Sequence, residues 1–250
     1  MTANLLLPTA PPEVPAERRE PAPSGRAERI AAAPRPKPEV PGGTLHGALR
    51  RSSAERAFGA DGLRAALDDG RWIEPWSGVV LPSERAGDPL VRAEAALLRA
   101  GPHAVLSGPT AVAMHGCTEA VADRTVHVAV PYDRQIRPVA DLAIKQTWIR
   151  EADVIELDGL RVYALDVALA EMLCTGERRT ALACLEQALE ALGSAAVRFH
   201  AVVTEQVARR RDRRGTRRAA ELLELARLGP SGAVPVVARI EAALPTGGGL

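Results

Sequence analysis

The sequence predicts an α+β chain, and three observations lead there. A short amphipathic helix pattern ending at Gly70 runs straight into an aromatic and β-branched hairpin pattern at 72–81. Short apolar runs bounded by Pro and Gly alternate with helix signals from Asp88 to Ala164. Beyond Leu165 only helical periodicity remains.

In the first of these segments Asp61 is placed to cap a helix, Leu63, Ala66 and Leu67 form its apolar stripe, and Gly70 closes it. Trp72-Ile73 and Val79-Val80-Leu81 then read as two strands joined by a Glu74-to-Gly78 turn. Thr44 to Arg51 and Ser53 to Phe58 read as two helices ahead of the capped one. Helices followed by a hairpin within 44–85 give the size and order of a winged helix-turn-helix. Its core is expected to hold Leu63, Leu67, Trp72 and Val79, while Trp76 at the hairpin tip either packs back or faces a partner.

Residues 86–228 read as a mixed α/β domain with C-terminal helices. Asp88-Pro89 gives the cap-then-proline start of a helix with Leu90, Ala93, Leu97 and Ala100 on one face and Gly101 as its stop. Ala104-Val105-Leu106 reads as a strand, Ser107 as the cap of the helix from Pro109 to His115, and Thr125 to Val130 as an alternating strand in which His127 takes the polar face. Leu142 to Ile149, Val154 to Leu157 and Leu160 to Ala164 are further strand candidates. Leu182, Leu185, Leu189 and Leu192 form a stripe on a helix from Glu177 to Leu192, read as core packing over two heptads. Val203/Val207 and the Ala219, Leu222, Leu223, Ala226 face are expected to pack beside it.

Composition sets outer limits. Residues 1–43 hold 10 of the 20 prolines and almost no apolar periodicity, so this arm is expected to be disordered. Met1 to Ala10 lacks a basic region and a long apolar run, and no later run approaches a membrane span, so a cytoplasmic protein with no membrane partner is expected. Cys117, Cys174 and Cys184 form no C-x-x-C pair, which leaves neither a disulfide framework nor a zinc ribbon. The net charge of +1 is unevenly spread: basic against acidic residues number 6 and 6 in 44–85, 10 and 15 in 86–193, and 10 and 5 in 194–250. Seven of the last ten cations fall in Arg209 to Arg218, a density that attracts polyanions through counterion release and that a solvated helix end also shows.

Motifs for enzyme chemistry are missing: no phosphate-binding glycine loop, no H-E-x-x-H and no G-x-S-x-G. Ser107, His115 and Cys117 lack a third group to hold a base, so structural roles are expected for them. Gly193-Ser194 has only Glu205 near it, too few carboxylates for nucleotidyl transfer. No catalytic residue, metal site or cofactor is expected.

The order GRWIEPWSGVVLP, AEAALLRAGPHAVLSGPTAVAMHGC, VHVAVP and LDGLRVYALDVALAEML resembles the AbiEi family of antitoxin-like transcriptional regulators of type IV toxin–antitoxin systems. The likeness spans roughly 44–227. It implies a winged helix that binds operator DNA, an α/β domain without catalysis, and neutralisation of a nucleotidyltransferase-like toxin. The sequence departs from the family pattern where Glu74, Pro75 and Trp76 leave the wing without a cation, where Val80 replaces a tyrosine, and where Val167-Ala168 replaces Arg-Thr. The very-short-patch-repair-type nuclease domain of longer relatives is expected to be missing, with 229–250 a flexible tail or a nuclease remnant in which Glu241 alone cannot form the site.

The resulting expectation is a regulator that binds double-stranded operator DNA. Arg64 and Arg71 would touch bases, Arg50 and Arg51 would position phosphates, and Arg209, Arg210, Arg211, Arg213 and Arg214 would add polyanion affinity. The alternatives are a protein-binding module that holds a toxin or other basic partner without DNA, and an inactive remnant of a regulator–nuclease fusion.

Overall fold

Glu94 decides the path of residues 44–50. The computed structural model describes residues 44–226 apart from 123, 135 and 138, so the expectations for 1–43, 227–250 and Glu241 lie outside the described residues. Glu94 is 6% exposed and accepts the backbone N–H groups of Leu45, His46 and Ala48, each at 2.9 Å. Those donors are thereby taken from any helical ladder, and the helix expected over Thr44 to Arg51 is instead a bend leading into strand β1, Leu49–Arg50. Local periodicity gave no sign of an acceptor nearly 50 residues away.

Helices α1, Arg51–Phe58, and α2, Ala60–Asp68, follow, then strands β2, Trp72–Trp76, and β3, Val79–Pro82. The cap of α2 is Gly59 at φ 76°, and Asp61 lies inside the first turn, where its charge still favours the helix dipole. The three strands form an antiparallel sheet in the order β1-β3-β2. Successive residues of the central strand β3 face opposite ways: Val80 joins Leu49, Ala54, Leu63, Ala66 and Trp72 beneath α1 and α2, while Val79 and Leu81 join the core of the rest of the chain. Leu67 is only partly buried at the edge of the smaller cluster. Phe58 tilts against Trp72 with ring centroids 5.3 Å apart.

Strand β2 runs through Glu74-Pro75-Trp76, expected as a loop, and only Ser77-Gly78 turns. Trp76 supplies the reason, because its indole is 4% exposed, donates from Nε1 to the Ala140 carbonyl at 2.9 Å, and has the Arg92 guanidinium 5.7 Å from its ring. A tryptophan so anchored pulls the strand end onto the larger core, with a register shift between Ile73 and Trp76.

Helix α3, Pro89–Ala100, starts as its sequence predicts, with Asp88 accepting from the Leu90 and Val91 N–H groups. A second sheet then collects β4, Val105–Leu106, β5, Val126–Val130, β6, Leu142–Gln146, β7, Val154–Leu157, and β8, Leu160–Tyr163, in the order β6-β5-β4-β8-β7. β5 pairs parallel with β6 and β4 parallel with β8, while the other pairs are antiparallel. Strand β6 stops at Gln146, three residues short of the expected Ile149. Helix α4, Gly108–Met114, follows Ser107, which occupies the cap position without a side-chain bond.

The C-terminal helices are α5, Leu165–Thr175, α6, Arg178–Leu192, α7, Ala196–Ala208, and α8, Thr216–Leu225. Buried residues occur all round α5, so it is the interior helix, packed by α4, α6, α7 and α8. Its two acids are satisfied within the fold: Asp166 accepts from Gln206 Nε2 at 2.5 Å and Glu171 from Lys145 Nζ at 2.6 Å. The leucine stripe of α6 is core: Leu185, Leu189 and Leu192 are buried and Leu182 packs against them. With helices on two sheets of different topology, the chain is of the α+β class.

Glu177 caps α6 by accepting the Arg179 and Thr180 N–H groups, and these bonds hold its carboxyl down to about 2. A depressed carboxyl contributes stability above its unfolded pKa of 4.5 and loses it as pH falls through the folded value of about 2. Glu177→Ala is therefore expected to lower the urea midpoint at neutral pH, and the gap from the parent protein should narrow steadily below about pH 4.5. Parallel urea titrations across that range check it; a gap independent of pH contradicts the cap.

Candidate nucleic-acid interface

Three of the six cations of the N-terminal segment, Arg51, Arg64 and Arg71, are engaged by its own acids. Arg51 bonds Glu55 at 3.0 Å and Glu74 at 2.5 Å, and these contacts, Glu55 first, raise its pKa further. Glu74 also accepts the Gly78 N–H at 2.6 Å, so the carboxylate at the hairpin tip ties the turn to α1. Arg71 pairs with Asp69 at 2.7 Å. Arg64 stands 72% exposed on α2, with Asp61 3.7 Å away, and Arg50 is exposed at the end of β1. The outer face of α2 also exposes Asp68 and Asp69, so carboxylates outnumber its single arginine.

The arginine segment is arranged differently. Residues 209–215 connect α7 to α8 and fold against the C-terminal end of α5, while Arg217 and Arg218 lie in the first turn of α8. Gly215 makes this approach possible: a Cβ there would lie 2.0 Å from the Cys174 carbonyl oxygen, and its φ is 74°. Arg218 donates to the Gly176 carbonyl on the same side. The segment then divides. Arg209, Arg210 and Arg211 line a cleft of about 320 Å³ together with Lys145, Trp148, Arg150 and the Val167, Ala170 and Glu171 face of α5. Arg213 turns back to the Ala208 carbonyl and Arg214 is exposed, and neither lines the cleft.

Within the cleft some charges are already committed. Arg150 makes a two-pronged contact with Asp153 at 2.8 and 2.9 Å, and Arg209 reaches the same carboxylate at 3.9 Å while bonding Gln206 Oε1 at 2.8 Å. Lys145 is held by Glu171. Arg211 lies over the Trp148 ring, 5.4 Å from its centroid, a cation–π geometry. Asp212 is kept below its usual range, first by the Arg214 N–H.

Trp148, Tyr132, Lys145 and Arg150 are site residues that sequence reasoning did not select. Trp148 lay inside an expected strand, and its true position beyond the strand end follows from β6 stopping at Gln146. A tryptophan within three residues of Lys145 and two of Arg150 was the available signal.

The residues weighed as a nucleophile site have structural surroundings. Cys117 is 1% exposed and burial pushes its thiol up to about 12, aided by Cys184. His115, fully buried, donates from Nε2 to the Tyr163 carbonyl at 2.9 Å and so ties α4 to β8. Among the described residues no three His, Cys, Asp or Glu side chains converge as metal ligands, and no helix is long and apolar enough to cross a membrane.

No protein-family model and no curated protein matches the chain. A solved structure resembles it. The RV2827C protein from Mycobacterium tuberculosis superposes with a TM-score of 0.52 at 14% identity, over 79% of this chain and 75% of that one. At that identity the likeness concerns the fold alone.

The cleft geometry makes an optical prediction. Trp72 and Trp76 are 2% and 4% exposed whereas Trp148 is 63% exposed, so acrylamide is expected to quench essentially Trp148 alone. Trp148→Phe should leave emission that acrylamide barely touches; strong residual quenching would contradict the burial of the other two.

Proposed function

We propose that this protein is a non-catalytic, DNA-binding regulator of the antitoxin-like AbiEi type, built on an N-terminal winged helix-turn-helix. The observation that carries the reading is the order β1-α1-α2-β2-β3 with sheet order β1-β3-β2, in which two consecutive helices lie against one face of a hairpin sheet. In a helix-turn-helix the second helix enters the major groove, which assigns α2 that role. Arg64 and Arg71 then meet base edges, with Arg50 and Arg51 on phosphates.

Magnitudes favour release of these arginines to DNA. An exposed ion pair is worth about 1 kcal/mol or less, while a two-pronged arginine contact to a base discriminates by about 1–3 kcal/mol. The pairings of Arg64 with Asp61 and of Arg71 with Asp69 therefore do not prevent readout. Overall affinity comes from elsewhere, because the 44–85 segment has equal numbers of cations and carboxylates. The exposed Arg213 and Arg214, with the Arg209–Arg211 cluster behind them, supply the phosphate attraction.

One observation favours a second reading. The acidic outer face of α2 repels phosphate and suits a basic protein surface, such as that of a nucleotidyltransferase-like toxin. A titration of the protein's own promoter duplex against a scrambled duplex at two salt concentrations separates the two. Arg64→Ala with Arg71→Ala is expected to remove promoter preference, each lost contact costing about 1–3 kcal/mol. Neutralising Arg209, Arg210, Arg211, Arg213 and Arg214 should weaken both duplexes alike and flatten the salt dependence. Absence of promoter preference in the unaltered protein, or its full retention in the double variant, overturns the DNA reading in favour of the protein-binding one.

A further inference from the structure

Parallel pairing places two aromatic rings at one edge of the second sheet. β5 and β6 run in the same direction with Val130 opposite Gln146, so Tyr132 and Trp148, each two residues further on, leave the sheet together. Both are exposed, at 66% and 63%. The crevice beyond the carboxyl ends of parallel strands is where loops diverge and ligands settle in open α/β sheets. Here that crevice is closed on its other side by the end of α7, which delivers Arg209, Arg210 and Arg211.

The volume of about 320 Å³ fits a small molecule and excludes a duplex. Five cations line it against three carboxylates, Asp153, Glu171 and Asp212. Asp153 and Glu171 are occupied by Arg150 and Lys145. Among the described residues Arg210 and Arg211 make no ion pair within 4.0 Å and the solvent-shielded Nε of Arg210 has no hydrogen-bond partner, while Asp212 is held low first by the Arg214 N–H and in part by the charge of Arg210. Two guanidiniums without a carboxylate partner among the described residues therefore stand at an exposed indole, Arg211 over one face of the ring. Tyr163 also lines the cleft, and burial pushes its phenol up, which keeps it a neutral O–H group.

We propose that this cleft binds a nucleoside phosphate, its phosphate gripped by Arg210 and Arg211 and its base stacked on Trp148. Guanidinium forks match the oxygens of a phosphate, and a flat ring stacks on indole regardless of base identity. The base must be unstacked to offer its face, so paired DNA does not supply the ligand. Two sources do: a free mononucleotide, or an unpaired nucleotide of a nucleic-acid strand. The inference shares Arg210 and Arg211 with the duplex reading but concerns a ligand the double helix does not present. Its test uses no duplex, and either can fail while the other holds.

The burial of Trp72 and Trp76 makes the full-length protein its own reporter. Titration with AMP is expected to quench tryptophan emission saturably, and inorganic phosphate should compete without quenching. Arg210→Gln with Arg211→Gln should weaken AMP binding tenfold or more with an unchanged melting temperature, and Trp148→Ala should abolish the quench and weaken AMP binding measured by calorimetry. A single-stranded oligo-dA hexamer forms the second arm. Binding tighter than AMP identifies a strand as the source; AMP binding at least as tight identifies the mononucleotide. No saturable quench up to about 10 mM AMP, near the weakest affinity a built site would have, overturns the proposal, as does unchanged AMP affinity in the folded arginine double variant.

Discussion

The structure depends on one buried carboxylate. Glu94 receives three backbone N–H groups from Leu45, His46 and Ala48, and the same strap is fastened again where Arg85 donates to the His46 carbonyl at 2.5 Å and His46 Nε2 lies 2.8 Å from the Asp158 carbonyl. Leaving a buried donor unsatisfied costs about 1–3 kcal/mol, so the buried Ala48 N–H, with the part-buried Leu45 and His46 N–H groups beside it, outweighs the weak helical preference of a short segment. From this follows an extended approach to β1, and from the β1–β3 pairing a three-stranded sheet that presents one face to α1 and α2 and the other to the larger core.

That double-faced burial has a functional consequence. The hairpin packs against α3 and is tied at Trp76 to the Ala140 carbonyl, so it does not project as a free wing. The N-terminal module pairs Arg51, Arg64 and Arg71 with its own acids, whereas in the cleft at the end of α7 Arg211 lies on Trp148 and Arg210 Nε has no hydrogen-bond partner among the described residues. In the proposed DNA reading, orientation and affinity for a polyanion would be divided between these two surfaces.

Much of the fold was legible where signals are local. Asp88-Pro89 to Gly101 begins and ends as its capping residues direct, β5 follows its alternation, and α6 starts immediately after Glu177. The failures share a cause. Thr44 to Arg51, Glu74 to Trp76 and the end of β6 are decided by Glu94, by the Ala140 carbonyl and by sheet pairing, partners far off in sequence. The candidate site divides in the same way: the arginine run is conspicuous in the chain, but the cleft exists only because β5 and β6 pair in parallel and α7 ends beside them. Ser107 holds the expected cap position but its side chain makes no cap bond, and His115 is fixed by the Tyr163 carbonyl on β8, a partner 48 residues away that local pattern does not reveal.

Native-state hydrogen exchange at His46 and Ala48 tests the claim that Glu94 joins the N-terminal module to the remainder. In the unaltered protein these amides, though outside any regular ladder, should exchange only through openings within about 1–2 kcal/mol of those that expose Val128 in β5. In Glu94→Gln, where an amide N–H₂ group replaces one acceptor oxygen, their protection should fall far more than that of Val128. Free exchange of both amides in the unaltered protein, or equal protection in the variant, would contradict the account.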